Sequence, residues 1–178
     1  MSFTAMGKNS IDPSLLNSYV GKDIKDICPN AYSNPDLNHC AHFVSHVLGL
    51  HRIASEKTGG SCGKGEFGAN TRVAEVFSQC SSVYEFNSCP SVICGLIFVS
   101  SPSNFVSKPG RVPVIRNVKK KHIGIIYNQN IWHYSNTKDR VVVQTMAEFI
   151  RHYRKQKNAL WYGEIPSYAK PRPWATSA

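Results

Sequence analysis

The segment from Asn38 to Gly49 constrains the fold more than any other part of this 178-residue chain. Starting at Cys40, apolar residues recur at the spacing i, i+3, i+4, i+7 and i+8, which is typical of a helix with one buried face. These residues are Phe43, Val44, Val47 and Leu48. Asp36 or Asn38 can accept hydrogen bonds from the first turn, and Gly49 supplies the left-handed residue that ends such a helix. We therefore predict that Cys40 begins a helix and faces the core.

The position of Cys40 at a predicted helix start bears on its reactivity. The positive end of the helix dipole favours a thiolate over a thiol, so we expect a lowered pKa and a nucleophilic cysteine. The alternative for Cys40 taken alone is a buried structural cysteine, because free cysteine is among the most buried residue types.

Two histidines two and six residues after Cys40 raise the question of a metal. His42 and His46 are spaced i, i+4 on the predicted helix and could share an ion. However, they fall opposite the apolar stripe, and Phe43 stands where a zinc protease helix carries a glutamate. We expect solvated or locally hydrogen-bonded histidines, with no metal and no cofactor.

The other cysteines could form disulfides or bind zinc. The chain has six cysteines, at positions 28, 40, 62, 80, 89 and 94. No pair has the C-x₂-C spacing of a zinc ribbon, so we predict disulfides between Cys62 and Cys80 and between Cys89 and Cys94. This number of cysteines suits an oxidising compartment.

The net charge of +10 predicts attraction to an anionic partner such as nucleic acid, a membrane surface or a bacterial wall. Aromatic residues are not interleaved with the basic cluster Lys119 to Lys121, so we do not expect nucleic-acid binding. The sequence contains neither an apolar run long enough to span a membrane nor a Sec-type signal at its start.

Patterning along the chain predicts an α+β fold, with helices early and antiparallel strands later. We predict helices over residues 12–20, 40–48, 71–80 and 146–157, with a loop over residues 21–35. Strands are predicted over residues 92–99, 112–115, 122–127, 131–134 and 140–144, and a last edge strand over residues 160–165. We expect a single domain over residues 1–165 and a proline-rich tail over residues 166–178.

Two histidines on neighbouring predicted strands supply a base for the thiol. A hairpin turn centred between Asn128 and Gln129 would place residue 124 opposite His133, so that His133 becomes a diagonal neighbour of His122 on one face. A thiol needs a base, and the base needs a third group to hold its tautomer. We therefore predict Cys40 as nucleophile, His122 as base and His133 as the orienting residue.

The order of four motifs resembles that of NlpC/P60-type cysteine peptidases, within the papain-like group that includes CHAP amidases. The motifs are Asn38 to Val44, Gly95 to Val99, His122 to Tyr127 and Ile131 to Ser135. The resemblance implies a papain-like fold, in which the helix that carries the nucleophile packs on an antiparallel sheet. It also implies that Cys40, His122 and His133 act as the catalytic residues, and that Tyr32 and Ser135 lie near the oxyanion or substrate.

The sequence departs from that family in the residue before the nucleophile. The family usually has Asp there, whereas this chain has His39. The string Asn38-x-Cys-x-His-Phe-Val also resembles permuted lipid acyltransferases, which place the histidine strand before the cysteine. No histidine precedes residue 39, so the peptidase order is the better match.

The resemblance implies a cysteine amidase or endopeptidase that hydrolyses amide bonds in bacterial peptidoglycan. The Cys40 backbone N–H and Tyr32 would stabilise the oxyanion. Without a Sec-type signal, we expect export by a specialised route to the periplasm or cell wall as an antibacterial effector with an immunity protein, or otherwise a cytoplasmic location. The alternatives are a thiol acyltransferase acting on lipid or protein and a non-catalytic wall-binding module.

Overall fold

A computed structural model describes residues 11–28, 38–50, 61–63, 68–88, 94–116 and 118–172. These residues form an α+β structure in which helices pack on an antiparallel sheet of six strands, which confirms the predicted fold class. None of the helices in the described ranges is long and apolar enough to cross a membrane.

Five α-helices and eight strands make up the described structure. The helices are α1 (Pro13–Asn17), α2 (Ile24–Ile27), α3 (Cys40–Leu48), α4 (Val73–Gln79) and α5 (Met146–Arg154). The strands are β1 (Val83–Glu85), β2 (Cys94–Ser100), β3 (Phe105–Val106), β4 (Val114–Ile115), β5 (His122–Tyr127), β6 (Asn130–Ser135), β7 (Arg140–Thr145) and β8 (Ala159–Gly163). Short 3₁₀ turns cover Phe86–Ser88 and Pro102–Asn104.

The main sheet has the strand order β1-β8-β2-β5-β6-β7, while β3 and β4 pair separately. The last predicted strand was expected at an edge, but β8 lies between β1 and β2. Strand β8 has a second neighbour because β1 pairs with the edge of β8 that faces away from β2, with Val83 opposite Gly163. Three short elements, α2, β1 and β3, were not predicted, since four, three and two residues are too few for a clear hydrophobic period.

The hairpin of β5 and β6 has the predicted register. Ile125 pairs with Trp132 and Tyr127 with Asn130, so the turn is centred between Asn128 and Gln129. Both turn residues have positive φ, 43° and 67°, as a two-residue hairpin turn with the right-handed strand twist requires.

The two faces of the sheet carry separate apolar cores. On one face, α3 packs Phe43 and Val44 against alternate residues of the strands, including Ile123 and Ile125. On the other face, α5 packs Phe149 into a smaller cluster. That cluster contains Ile97, Val99, Ile126, Ile131 and Leu160. Side chains of β5 therefore alternate between the α3 face and the α5 face.

The segment after β8 contacts the end of α3. The backbone N–H groups of Lys170 and Arg172 donate to the carbonyl oxygens of Leu48 and Val47, each at 2.8 Å. Residues 166–172 thereby satisfy carbonyl groups that the end of a helix leaves without partners.

The cysteines do not pair as predicted. Cys62 and Cys80 are not joined by a disulfide, so the expected bond between them is wrong. Cys80 ends α4 and its thiol donates to the Val76 carbonyl oxygen, whereas Cys62 packs beside Cys28. The predicted disulfide between Cys89 and Cys94 is also wrong, because Cys94 is a free thiol. Cys89 itself lies outside the described residues.

Candidate active site

Helix α3 begins at Cys40 and ends at Gly49, as predicted. Asn38 Oδ1 accepts a hydrogen bond from the Cys40 backbone N–H at 3.0 Å, and Gly49 takes the left-handed conformation with φ of 61°. Cys40 itself is 1% exposed. The helix therefore presents its first residue to the core rather than to solvent.

The Cys40 thiol lies against the backbone on both sides of His122. Its Sγ is 4.0 Å from the carbonyl oxygen of Lys121, and the backbone N–H of Ile123 stabilises its thiolate form. His122 lies between these two residues in the sequence. No hydrogen bond joins the sulfur to either imidazole among the residues described here.

The expectation of a lowered pKa for Cys40 is wrong. Burial raises the pKa of this thiol to about 12, and the backbone hydrogen bonds of Ile123, Ala41 and Cys40 offset only part of that effect. The physical reason is that desolvation disfavours the charged thiolate more than the helix terminus favours it. Cys40 therefore rests as a neutral thiol.

His122 and His133 form the predicted imidazole pair. His122 Nε2 and His133 Nδ1 are 2.9 Å apart, and His133 Nε2 lies 2.8 Å from Gln144 Oε1. The amide oxygen of Gln144 only accepts, so His133 Nε2 carries its proton and His133 Nδ1 accepts from His122 Nε2–H. This sequence of donors leaves Nδ1 of His122 as the ring nitrogen with a free lone pair.

Sequence reasoning missed Gln144. Period-2 alternation along β7 places Gln144 on the same face as Val142, and β6 pairs with β7 so that His133 opposes Val142. Gln144 is then the diagonal neighbour of His133. The same register argument that paired the two histidines could have found it.

Burial on the α5 face controls the charge of both imidazoles. Tyr153 stacks on His122 with ring centroids 5.3 Å apart, and Phe149 packs edge-on against His133 at 5.2 Å. This burial holds the pKa of His122 well below its usual value, helped by the neighbouring His133, and lowers the pKa of His133 to about 4. Both rings are therefore neutral at pH 7.

Two cavities border the imidazole pair. The first, of about 510 Å³, is mainly polar and basic. Its polar lining includes Asn38, Lys120, Lys121, His122, Gln156 and Asn158. The second, of about 420 Å³, is lined by both histidines, Gln144 and the predicted substrate residue Ser135 at the end of β6. Tyr32, the predicted oxyanion residue, lies outside the described residues.

The Cys40 backbone N–H, expected to be an oxyanion donor, is already hydrogen-bonded. Asn38 Oδ1 accepts that N–H, while Asn38 Nδ2 donates to the Lys121 carbonyl oxygen at 3.0 Å. Asn38 thus bridges the start of α3 to the residue before His122, because its amide offers both a donor and an acceptor.

His42 and His46 are locally hydrogen-bonded, which is one of the two environments expected for them. His42 has no exposed surface and His46 is half-buried. The Nε2 atoms of the two rings are 3.1 Å apart, and Cys62 Sγ lies 3.5 Å from His46 Nε2. They are buried because Cys28 and Cys62, from segments on either side of α3 in the sequence, pack over this face of the helix.

Comparison of the chain with protein-family models, with curated proteins and with solved structures finds no match.

Proposed function

We propose that this protein is a cysteine amidase or endopeptidase of the papain-like, NlpC/P60 type, with Cys40 as nucleophile. The observation that carries the proposal is the hydrogen-bonded series His122, His133 and Gln144. Its first member, His122, lies in the chain between Lys121 and Ile123, the two residues whose backbone contacts the Cys40 thiol. A nucleophile, a base and a group that holds the base in one tautomer are the parts that acyl transfer requires.

Proton transfer in this site accompanies attack instead of preceding it. Cys40 is neutral at rest, so His122 Nδ1 accepts the thiol proton as Sγ bonds to the substrate carbonyl carbon. The tetrahedral intermediate then expels the amine, which takes the proton back from His122 and leaves a thioester. Water, deprotonated by the same imidazole, hydrolyses the thioester and restores the thiol.

Asn38 is the candidate for control of the oxyanion donor. The Cys40 N–H becomes available to a developing oxyanion only when Asn38 Oδ1 releases it. The Asn38 side chain also lines the basic cavity, so a substrate that enters this cavity meets Asn38 before Cys40. We propose that substrate binding breaks the hydrogen bond between Asn38 Oδ1 and the Cys40 N–H.

Peptidoglycan peptides are the proposed substrate class. Lys120 and Lys121 line the cavity next to His122, and the chain has a net charge of +10. Stem peptides carry free carboxylates, which such a basic cavity attracts. The resemblance of the four motifs to NlpC/P60 peptidases points to the same polymer.

Digestion of purified peptidoglycan followed by mass spectrometry of the released fragments tests the proposal. The wild-type protein should release new amino termini, and Cys40→Ala should release none while keeping its fold. Cys80→Ala is the matched control, because burial also raises the pKa of this free thiol to about 12. Retention of wild-type turnover in folded Cys40→Ala protein would refute the mechanism. Transfer of acyl groups without a new amino terminus would instead indicate an acyltransferase.

A further inference from the structure

Four metal-binding side chains converge away from the imidazole pair of the proposed active site. Cys28, His42, His46 and Cys62 each offer one ligand atom, and these four atoms lie within 4.8 Å of one another. They come from three parts of the chain: the residue after α2, two successive turns of α3, and the segment before α4. Neither cysteine was associated with the histidines in the sequence, because the four are dispersed over 35 positions, from 28 to 62.

Two distances within this cluster match those of a tetrahedral zinc site. Zinc bonds of about 2.0 Å to nitrogen and about 2.3 Å to sulfur place two ligand nitrogens about 3.3 Å apart and a nitrogen and a sulfur about 3.5 Å apart. The two histidine Nε2 atoms are 3.1 Å apart, and His46 Nε2 is 3.5 Å from Cys62 Sγ. These two distances fit one ion shared by His42, His46 and Cys62, and Cys28 Sγ, which lies within 4.8 Å of all three ligand atoms, is the candidate fourth ligand.

Contacts around the cluster orient its members as outer-shell partners of a metal site do. His42 Nδ1 lies 3.3 Å from His39 Nδ1, so a His42 ring bound to metal through Nε2 donates its remaining N–H to His39. The Ala69 backbone N–H donates to Cys62 Sγ at 3.3 Å, which suits a sulfur that bears negative charge.

We infer that Cys28, His42, His46 and Cys62 form a structural zinc site. Two thiolates and two imidazoles complete a tetrahedron, so the ion keeps no open position for substrate or water. Three of the four residues are less than 9% exposed, as a closed structural site requires. The ion would join the segment that precedes α3, the helix itself and the segment that follows it. This site goes beyond the proposed hydrolase chemistry and uses none of its residues.

The first test uses the wild-type chain and Co²⁺ as a probe. Reduced, metal-free protein titrated with Co²⁺ should bind about one equivalent and show the strong visible bands of tetrahedral cobalt, with thiolate charge-transfer bands in the near ultraviolet. Added Zn²⁺ should abolish these bands by displacement. A weak octahedral spectrum without charge transfer would overturn the inference, as would a Cys28–Cys62 disulfide in protein purified with zinc and without reductant.

The second test measures bound zinc by elemental analysis in folded variants. The wild-type chain and Cys40→Ala should each retain about one zinc ion, whereas Cys62→Ser and His46→Ala should retain less than about a tenth of that amount. Cys80→Ser and His152→Ala are the matched controls, because the described structure places both residues outside the cluster. If Cys62→Ser does not fold, Cys28→Ser provides the same test. Its Co²⁺ complex should show about half of the thiolate charge-transfer intensity of the wild-type complex. Full zinc retention in Cys62→Ser and His46→Ala would overturn the inference.

Discussion

His122 Nε2 lies 2.9 Å from His133 Nδ1, although 11 residues separate the two histidines in the sequence. The two-residue turn at Asn128 and Gln129 brings them together as diagonal neighbours on one face of the hairpin. Gln144 on the next strand then fixes the direction of all the protons in the series. The hairpin and this amide together leave Nδ1 of His122 as the ring nitrogen with a free lone pair.

This series predicts graded losses of activity. His122→Ala should lower kcat/KM by about 10³-fold because it removes the base itself. His133→Asn should cost about 10- to 100-fold, because the base remains but its tautomer is no longer held. Gln144→Ala, one step further from the thiol, should cost less than about tenfold. The measurement is the initial rate of amine release from peptidoglycan peptides.

Lys155→Ala serves as the control for this series, because Lys155 is an exposed residue just after α5. Its rate should stay within about twofold of the wild-type rate. Equal, small effects of His122→Ala and His133→Asn would mean that both histidines are structural.

Burial of Cys40 predicts slow alkylation of the native protein. A pKa of about 12, against the ordinary value of 9.0, leaves a thiolate fraction about 10³-fold smaller at pH 7. Iodoacetamide should therefore label Cys40 much more slowly in the folded protein than in urea, as followed by peptide mass spectrometry. Asn38→Ala should accelerate labelling several-fold, because it removes the bridge between Cys40 and Lys121.

The matched control for Asn38→Ala is Asn104→Ala, which removes a side-chain hydrogen bond to Ser100 Oγ instead. Labelling of Cys40 should be unchanged in this variant. Labelling of native Cys40 as fast as that of an unfolded cysteine would contradict the buried, neutral thiol.

The lowered pKa of His133 predicts a loss of stability in mild acid. In the folded protein this pKa is about 4, mainly because the ring is buried, whereas an unfolded histidine titrates near 6.5. Between these values the unfolded chain binds more protons, so the free energy of unfolding falls as the pH falls from 6.5 towards 4. The contribution of His133 is on the order of 3 kcal/mol.

Urea unfolding at a series of pH values checks this prediction. In this pH range the unfolded chain binds more protons than the folded protein. His133→Asn should lower that excess by about one proton. Val112→Ala, which changes an exposed residue without a titratable group, should leave that difference unchanged. An unaltered pH dependence in His133→Asn would refute the assignment of His133 as a buried neutral ring.

A side chain at position 124 should create a packing defect next to the imidazoles. A Cβ at this position would lie 2.7 Å from Ile131 Cγ2, 3.1 Å from the Trp132 carbonyl oxygen and 3.2 Å from His133 Cβ. Gly124→Ala should therefore lower the free energy of unfolding by about 1 to 3 kcal/mol and displace His133 from His122. Thermal unfolding measures the first effect and imidazole NMR shifts measure the second.

Val112→Ala is the control for Gly124→Ala, since Val112 is 76% exposed. Its effect should stay within about 0.5 kcal/mol. A Gly124→Ala protein with wild-type stability would mean that the strands tolerate a methyl group between them.

Local patterns in the sequence determined the start and end of α3, the strands β5, β6 and β7, and the register that pairs His122 with His133. Each of these depends on residues a few positions apart, such as the apolar period after Cys40, the left-handed Gly49 and the alternation on either side of Asn128. Helix and hairpin geometry is set by contacts over such distances, which is why it can be read in the chain.

Only the tertiary structure decided the charge of Cys40, the role of Gln144, the inner position of β8 and the grouping of Cys28 and Cys62 with His42 and His46. For Cys40, the helix terminus supplies about 1 kcal/mol in favour of the thiolate. The rise in pKa from 9.0 to about 12 corresponds to about 4 kcal/mol against it, so burial dominates. Burial, like the meeting of side chains from distant segments, depends on which elements pack together, and no local period in the sequence specifies that.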